Sequence, residues 1–391
     1  MLFSFAIIFL LGMLAGRLCA KISLPPLMGM LIAGICIGPH GLNLMDESVL
    51  NISSQLRQIA LIIILLRAGL NLKAEDLKRV GRPAILMCFL PATLEILGMV
   101  LLAPLFFDVS VLDALLLGTV IAAVSPAVIV PHMLKIMEEG YGVRQSIPQM
   151  ILAGASADDV FVIVLFTCFT GMARTGTFEA WTLLRIPTSI LFGILAGALL
   201  GLALQRVMDK LQLQETQSIL LLLSAAFLLV SAESILTGAV GFSGLIATMA
   251  LGMAFARQSP GRARAIAGGL SRIWAAAEIL LFMLVGAAVD IPYAAQAGGR
   301  AVGLILCVLV FRMAGVFLCL LGTGLKRGER LFAMLAYTPK ATVQAAIGAI
   351  PLSMGLPCGQ LILTAAVTAI LFTAPVGAFL IDGSYRKLLS R

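Results

Sequence analysis

The sequence predicts an all-α polytopic membrane protein with thirteen transmembrane helices, arranged as two inverted six-helix repeats joined by a linker helix. Of its 391 residues, 61% are hydrophobic and 12% are charged, and the mean hydropathy is +1.08. Soluble domains average about 45–50% apolar and 25% charged residues. Many apolar runs approach the roughly 20 residues that a helix needs to cross a bilayer. The alternating ten-residue segments typical of a transmembrane β-barrel are missing from the sequence.

Charged residues and Pro/Gly-rich breaks divide the apolar runs into thirteen spans. The first lacks the basic segment that begins a signal peptide, so we expect it to be retained in the membrane. Because thirteen is odd, two repeats of six require a linker, and the seventh span is the candidate. The spans are 2–19, 25–39, 56–72, 83–107, 112–135, 147–172, 181–205, 216–235, 240–256, 272–290, 299–324, 330–353 and 358–381.

The distribution of basic residues predicts the orientation of these spans. With the C-terminus in the cytoplasm, twenty of the 27 Lys and Arg residues fall on the inner side. Four fall on the outer side, namely Arg57, Arg174, Arg185 and Arg300. This bias follows the positive-inside rule, so we expect a multi-pass protein of the cytoplasmic (inner) membrane with its N-terminus outside. The net charge of +8 then indicates contact with membrane lipid and no nucleic-acid partner.

Two prolines interrupt spans at corresponding positions of the predicted halves. Pro126 follows Ser125 in the fifth span, and Pro339 follows Thr338 in the twelfth. Proline lacks an N–H donor and clashes with the preceding turn, so each span should unwind there. Matching broken helices in inverted halves indicate a substrate site near the bilayer midplane. Lys340 would suit carbonyl-bearing helix ends in such a crossing. The alternative is a pair of ordinary proline kinks.

Eight charged residues lie within the spans, where each needs a partner, a cavity or a neutral state. Asp158 and Asp159 stand in the middle of the sixth span, where an ionised Asp costs roughly 2.5–3.5 kcal/mol. Two adjacent carboxylates in a low-dielectric cavity cannot easily both ionise. The pair therefore predicts an intramembrane ion or proton site, with a structural role as the alternative. The eight are Arg67, Glu95, Asp158, Asp159, Glu233, Glu278, Arg312 and Lys340.

The motifs at 124–131 (VSPAVIVP), 140–143 (GYGV), 158–159 (DD) and 339–346 (PKATVQAA) resemble the NHA branch of the monovalent cation/proton antiporter superfamily. The resemblance covers nearly the whole chain. It implies an NhaA-like antiporter fold, a homodimer, and a mobile six-helix core that exchanges Na⁺ or Li⁺ for H⁺ as an elevator. The transported ions are its only implied ligands, with no cofactor.

The resemblance also implies roles for individual residues. Asp159 would be the main carrier of cation and proton, with Asp158 beside it in the same site. Arg312, bound to Glu95, would stand where other branches place a core Lys, and Lys340 would support the helix crossover. The implied division is a dimerisation part at approximately 1–72 with 216–290, a core at approximately 83–172 with 299–381, and the linker 181–205.

The residues themselves fit this chemistry. A carboxylate that binds either a proton or a desolvated Na⁺ exchanges the two by competition. Oxygen ligands suit a hard cation, and Asp159, Asp158, Ser125 and Ser156 are the candidates, with a freed carbonyl and water. Electroneutral exchange is favoured because Arg312 is effectively always charged.

The positions of the remaining charged residues in the spans also predict pairings. Glu95 and Arg312 occupy equivalent places in the two repeats, so we expect an interior ion pair, either structural or part of the coupling. Glu233 and Glu278 are expected to be structural or gating residues, with Arg67 available to pair with Glu278.

Three alternatives stay open from the residues alone. A K⁺/H⁺ antiporter or a sodium-coupled symporter would use the same fold. An intramembrane serine protease has one hook, the GFSG string at 241–244, but His40 and His132 are the only histidines and neither lies in a later span. The seven cysteines are scattered without CxxC spacing, and no cluster has metal-ligand spacing. A transporter is therefore favoured over an enzyme.

Overall fold

The computed structural model describes residues 1–22, 24–71, 81–175, 180–236 and 242–391, and all regular structure in these ranges is helical. The helices are α1 (Leu2–Lys21), α2 (Pro26–Ile37), α3 (Glu47–Asn51), α4 (Ser53–Asn71), α5 (Arg82–Met87), α6 (Leu90–Phe106), α7 (Val111–Ala122), α8 (Pro126–Glu138), α9 (Ile147–Thr175), α10 (Ala180–Leu211), α11 (Glu215–Leu236), α12 (Gly244–Gln258), α13 (Pro260–Ala287), α14 (Ile291–Cys319), α15 (Arg327–Ala336), α16 (Thr342–Ile347), α17 (Ile350–Ser353) and α18 (Gly359–Leu388).

Ten helical segments of the described chain are long and apolar enough to cross a membrane. The predicted spans 25–39 and 240–256 correspond to the shorter helices α2 and α12, of 12 and 15 residues. The span 330–353 is divided among α15, α16 and α17. The chain is thus an all-helical, multi-pass membrane protein, whereas the count of thirteen and the inverted repeats stay predictions.

Contacts group the chain into two compact units. Unit 1 comprises Met1–Ser54, Glu75–Val162 and Ile279–Arg391, and unit 2 comprises Gln55–Ala74 and Ile163–Glu278. The predicted linker span lies within α10, in unit 2. The division into a dimerisation part and a transport core stays a prediction.

In unit 2, α10 packs closely on α12 along a row of glycines that we call the glycine seam. The seam residues are spaced four apart, so they lie on one face of α10. A Cβ atom added to any of them would collide with a backbone carbonyl oxygen at the start of α12 or within it. The backbones therefore approach as they do at small-residue interfaces of membrane helices. The seam is formed by Gly193, Gly197 and Gly201 against the carbonyls of Ser243, Ala247 and Leu251.

The start of α12 is capped by two side chains. Oε2 of Glu233 accepts a hydrogen bond from the Gly244 N–H at 2.9 Å, and Oγ of Ser243 accepts one from the Ile246 N–H at 3.5 Å. Both satisfy N–H groups that an α-helix leaves unpaired at its beginning. Glu233 is therefore a helix cap, and the serine of the GFSG string helps to start a helix.

Three further charged residues of unit 2 are partly or wholly buried. Glu278 on α13 and Arg67 on α4 lie close enough to interact electrostatically. Arg57, which the orientation argument places on the outer side, lies within α4 and exposes only 7% of its surface. Its hydrocarbon stem accordingly packs in the protein instead of extending into solvent.

In unit 1, α7 ends at Ala122 and α8 begins at Pro126, while α15 ends at Ala336 and α16 begins at Thr342. Both predicted proline positions therefore coincide with interruptions of helical structure. The two interruptions meet, because the Ser125 N–H donates a hydrogen bond to the Pro339 carbonyl at 2.8 Å. We call residues 123–125 and 337–341 together the crossover.

Helix α18 supports the crossover and is itself fixed at its end. Gly377 faces the Pro339 ring so closely that a Cβ would collide with it. Near the end of α18, the Tyr385 hydroxyl donates a 2.8 Å hydrogen bond to Oε2 of Glu139, and Arg386 approaches the same oxygen at 3.2 Å. The Tyr385 hydrogen bond and the Arg386 charge hold the pKa of the Glu139 carboxyl below its usual value.

Candidate functional site

The end of α7 presents carbonyl groups that have no partner within their own helix. Nε2 of Gln344 donates to the carbonyls of Ile121 at 3.1 Å and Ala123 at 2.7 Å. The carbonyl between them, that of Ala122, accepts from Nη1 of Arg312 and from Nζ of Lys340, the latter at 3.4 Å. Three side chains from later in the chain thus satisfy this half-helix, as a non-lipid-facing break in a membrane helix requires.

Arg312 projects from α14 and is fully buried. Its Nη1 lies 2.8 Å from Oε2 of Glu95, and its Nη2 lies 2.8 Å from Oδ2 of Asp158. Its Nε donates to the Tyr337 carbonyl at 2.6 Å. The planar guanidinium presents donors in a fixed fork, so one side chain holds two acids and a broken helix end in place.

Lys340 binds the same acid from the other broken span. Its Nζ lies 2.7 Å from Oε2 of Glu95, and its backbone N–H donates to the Thr373 hydroxyl at 2.9 Å. We call Glu95, Asp158, Arg312 and Lys340 the charge cluster, and all four side chains are 0% exposed. Two cations face two anions, so the charge cluster is neutral when all its members are ionised.

Asp158 and Asp159 are adjacent in α9 but differ in their surroundings. Oδ2 of Asp158 accepts from Arg312 and from the Val124 N–H at 2.9 Å. Asp159 is half-buried. Among the described residues, nothing donates a hydrogen bond to its Oδ1 or to Oδ1 of Asp158, although both atoms are buried. Asp159 is therefore a fifth ionisable group, placed beside a cluster whose charges balance when all its members are ionised.

The remaining predicted site residues take different positions. Ser125 is 1% exposed, and its hydroxyl has no hydrogen-bond partner in the described part of the chain. The side chain of Ser156 lies outside the described residues. The Thr338 hydroxyl donates to the Leu335 carbonyl at 2.8 Å, so it closes the end of α15. Pro126 occupies the first position of α8, where a missing N–H costs little.

Two uncharged residues of the site, Tyr337 and Gln344, were not predicted from the sequence. The Tyr337 ring lies under the Arg312 guanidinium, 4.9 Å from ring centre to Cζ, and its hydroxyl donates to the Met87 carbonyl at 3.0 Å. Gln344 carries no charge, so the cost of burying a charge in the membrane does not select it. Its position as a polar residue in an apolar run of the PKATVQAA motif was the available signal.

Nothing in the described part of the chain resembles a resident metal site. No group of three or more His, Cys, Asp or Glu side chains there is arranged to hold a metal ion. The seven cysteines are free.

Gly154 gives a direct test of how Tyr337 is seated. A Cβ at this position would lie 2.8 Å from the Tyr337 hydroxyl and 2.8 Å from Cβ of Met87. Because overpacking a dense core costs typically 1–3 kcal/mol, we expect Gly154→Ala to lower the melting temperature of the detergent-solubilised protein. Gly171→Ala on the same helix is the control, since a Cβ there meets nothing within 4 Å. Equal melting temperatures for the two variants would contradict this packing.

The sequence is similar to those of sodium/hydrogen exchangers. The family model described as "Sodium/hydrogen exchanger, transmembrane" matches residues 5–382. Sodium/hydrogen exchanger 9B2 of Homo sapiens is 32% identical over 412 residues, covering 100% of this chain and 75% of that protein. Sodium/hydrogen exchanger 9B1 of Homo sapiens is 31% identical over 411 residues, covering 100% and 78%.

A solved structure has the same fold. The sodium proton antiporter MjNhaP1 from Methanocaldococcus jannaschii, determined at pH 8, superposes with a TM-score of 0.86. The alignment covers 99% of this chain and 98% of the antiporter, at 21% sequence identity. The helical arrangement described above is therefore the fold of that antiporter.

Proposed function

The chain belongs to the sodium/hydrogen exchanger family of transporters, and from this premise we propose that it exchanges Na⁺ or Li⁺ for H⁺ across the membrane by alternating access. The two ions compete for one carboxylate, that of Asp159. The family assignment confirms the resemblance that the motifs suggested and excludes the enzyme alternatives. The transported ions and the mechanism of exchange are proposed in addition to this family assignment.

One observation carries the proposal: Asp159 lies beside the charge cluster but takes no part in its ion pairs, whose charges already balance. An isolated ionised carboxylate within a membrane is costly unless a positive partner neutralises it. A bound proton and a bound monovalent cation each do so with one positive charge, and each excludes the other from the same oxygens. Competition between them at Asp159 couples their transport.

The neighbouring oxygens complete a ligand set for a small hard cation. Oδ1 of Asp158 and the hydroxyl of Ser125 are buried without hydrogen-bond partners among the described residues. Ser125 is the residue after Val124, whose N–H binds Asp158, so these groups belong to one neighbourhood. We infer that they coordinate the cation together with Asp159 and water, while Ser156 on α9 stays a candidate from the sequence.

The same charge balance favours electroneutral exchange of one cation for one proton. Arg312, unlike a Lys, is effectively never deprotonated, so it supplies no second proton. The site then carries the same net charge whether Asp159 holds Na⁺ or H⁺. The proposal includes an elevator movement of a core at approximately 83–172 with 299–381 against a dimerisation part.

The proposed setting is a homodimer in the cytoplasmic membrane, with the N-terminus outside and the C-terminus inside. Helix α1 is the candidate contact between subunits. It exposes a row of large apolar side chains, with Leu10, Leu14 and Leu18 at 63%, 55% and 54%. Such a row at four-residue spacing fits another helix or lipid.

Transport by purified protein in liposomes tests the proposal. With a pH-sensitive dye inside, addition of Na⁺ or Li⁺ should move protons, and an imposed membrane potential should leave the initial rate unchanged. Protein-free liposomes give the background. A response to K⁺ equal to that to Na⁺ would indicate a K⁺/H⁺ antiporter, and no response to any of these cations would contradict cation/proton exchange.

A further inference from the structure

We propose that Gln344 is a positioning residue that controls the cation site through a single peptide group. The inference rests on the proposed exchange at Asp159 and adds a residue to it. The described hydrogen bonds of Gln344 go to backbone carbonyls and not to either aspartate. Gln344 acts on Asp158 through the peptide that joins Ala123 to Val124 in the crossover.

The geometry places this peptide between two side chains. Nε2 of Gln344 donates to the Ala123 carbonyl at 2.7 Å. The N–H on the other side of the same planar peptide, that of Val124, donates to Oδ2 of Asp158 at 2.9 Å. An amide from α16 and a carboxylate from α9 thus hold one peptide unit from opposite edges. The second N–H of Gln344 reaches the Ile121 carbonyl at 3.1 Å, which fixes the direction of the amide.

This arrangement strengthens the hydrogen bond from the Val124 N–H to Asp158. Hydrogen bonds in a chain polarise one another, so donation to a peptide oxygen makes the N–H of the same peptide a better donor. With Arg312 on the same oxygen, the Val124 N–H fixes the orientation of the Asp158 carboxyl group. Its other oxygen, Oδ1, has no hydrogen-bond partner among the described residues and is available to a cation.

An amide suits this position better than a charged residue. A third cation at position 344 would satisfy the same carbonyls but would unbalance the neutral charge cluster. An apolar residue would leave buried carbonyls unpaired, which is costly in a protein interior. Gln344 supplies two neutral donors and is itself 0% exposed. Its role is to hold a backbone segment without changing the charge of the site.

The test compares Gln344→Met with wild-type protein in liposomes, measuring exchange rate against Na⁺ concentration. Met keeps the length of the side chain and removes both donors. Because Asp158 assists cation binding and not the movement, we expect KM for Na⁺ to rise about three- to tenfold, the effect of one hydrogen bond. The maximal rate should stay within about twofold of wild type. Thr342→Val, a buried change two residues earlier on α16, is the control and should leave KM unchanged.

The outcomes separate this inference from the proposed function. Absence of Na⁺-driven exchange in wild-type protein would contradict the function itself. Active wild-type protein with an unchanged KM in Gln344→Met would overturn the role of Gln344, as would an equal rise in Thr342→Val. A fall in maximal rate without a change in KM would indicate a purely structural residue and would also overturn it.

A second variant covers the case in which Gln344→Met does not fold. Gln344→Glu keeps the shape and retains one O–H donor while its carboxyl is protonated. Its KM relative to wild type should therefore be higher at a pH at which that carboxyl is ionised than at a pH at which it is protonated, because ionisation removes the donor. The charge cluster and Asp159 face this region in both proteins, so taking the ratio to wild type removes their own titration. A ratio that does not change with pH would contradict the proposal.

Discussion

Asp159→Asn is expected to abolish Na⁺-driven proton movement in liposomes while the protein stays folded. The amide can neither bind a proton at neutral pH nor supply a negative charge to a cation, so both halves of the exchange are lost. We expect a decrease of at least about a hundredfold, to the level of protein-free liposomes. Folding should survive because the ion pairs of the buried charge cluster do not include Asp159.

The measurement for this variant needs both a transport and a folding readout. Exchange is followed by the internal dye on addition of Na⁺ or Li⁺, and folding by the melting temperature and a monodisperse profile in detergent. Asp108→Asn is the matched control, since it makes the same chemical change at an exposed position between α6 and α7. Undiminished exchange in Asp159→Asn would remove the central element of the proposed function.

Arg312→Met is expected to cause the largest loss of stability. Removing one partner of a buried ion pair leaves an uncompensated charge and costs about 3–5 kcal/mol. In this protein Arg312 holds two anions, Glu95 and Asp158, and among the described ion pairs only Glu95 has a second cation bound to it, Lys340. Asp158 would be left with the Val124 N–H as its described donor. The melting temperature should fall clearly below that of wild type.

A second substitution in Arg312→Met tests which acid depends more on Arg312. Asp158→Asn should restore much of the stability of Arg312→Met, because Glu95 and Lys340 then remain as a balanced pair. Glu95→Gln should restore less, because Lys340 would lose its carboxylate. Thermal unfolding of the two double variants and their parents measures both couplings. Better rescue by Glu95→Gln, or rescue by neither, would show that the charges are not shared in this way.

Several elements of the site could be predicted from the sequence because burial of charge in a membrane is costly. That argument selected Asp158, Asp159, Glu95, Arg312 and Lys340 without any structure. The prolines at 126 and 339 likewise marked both interruptions, since proline chemistry is local. The family assignment and the all-helical membrane fold were confirmed by the comparisons.

The arrangement of these residues could not be predicted in the same way. Lys340 and Glu95 are 245 residues apart in sequence. No local pattern indicates that Lys340 and Arg312 both bind the same carboxylate oxygen of Glu95. A pair of opposite charges was the simplest expectation, whereas packing brings four together. Tyr337 and Gln344 carry no charge, so the cost argument did not select them. Their roles depend on which carbonyls α7 leaves unpaired, and only the folded arrangement shows this.

The glycine seam of unit 2 has a consequence for which substitutions this helix can accept. On α10 the inward positions 193, 197 and 201 meet backbone atoms, so any side chain larger than hydrogen is excluded. Two residues before each of them, Leu191, Leu195 and Leu199 expose 54%, 47% and 67% of their surface. Any apolar residue should serve there. A saturation library of this helix should therefore show tolerance and intolerance alternating with a four-residue period.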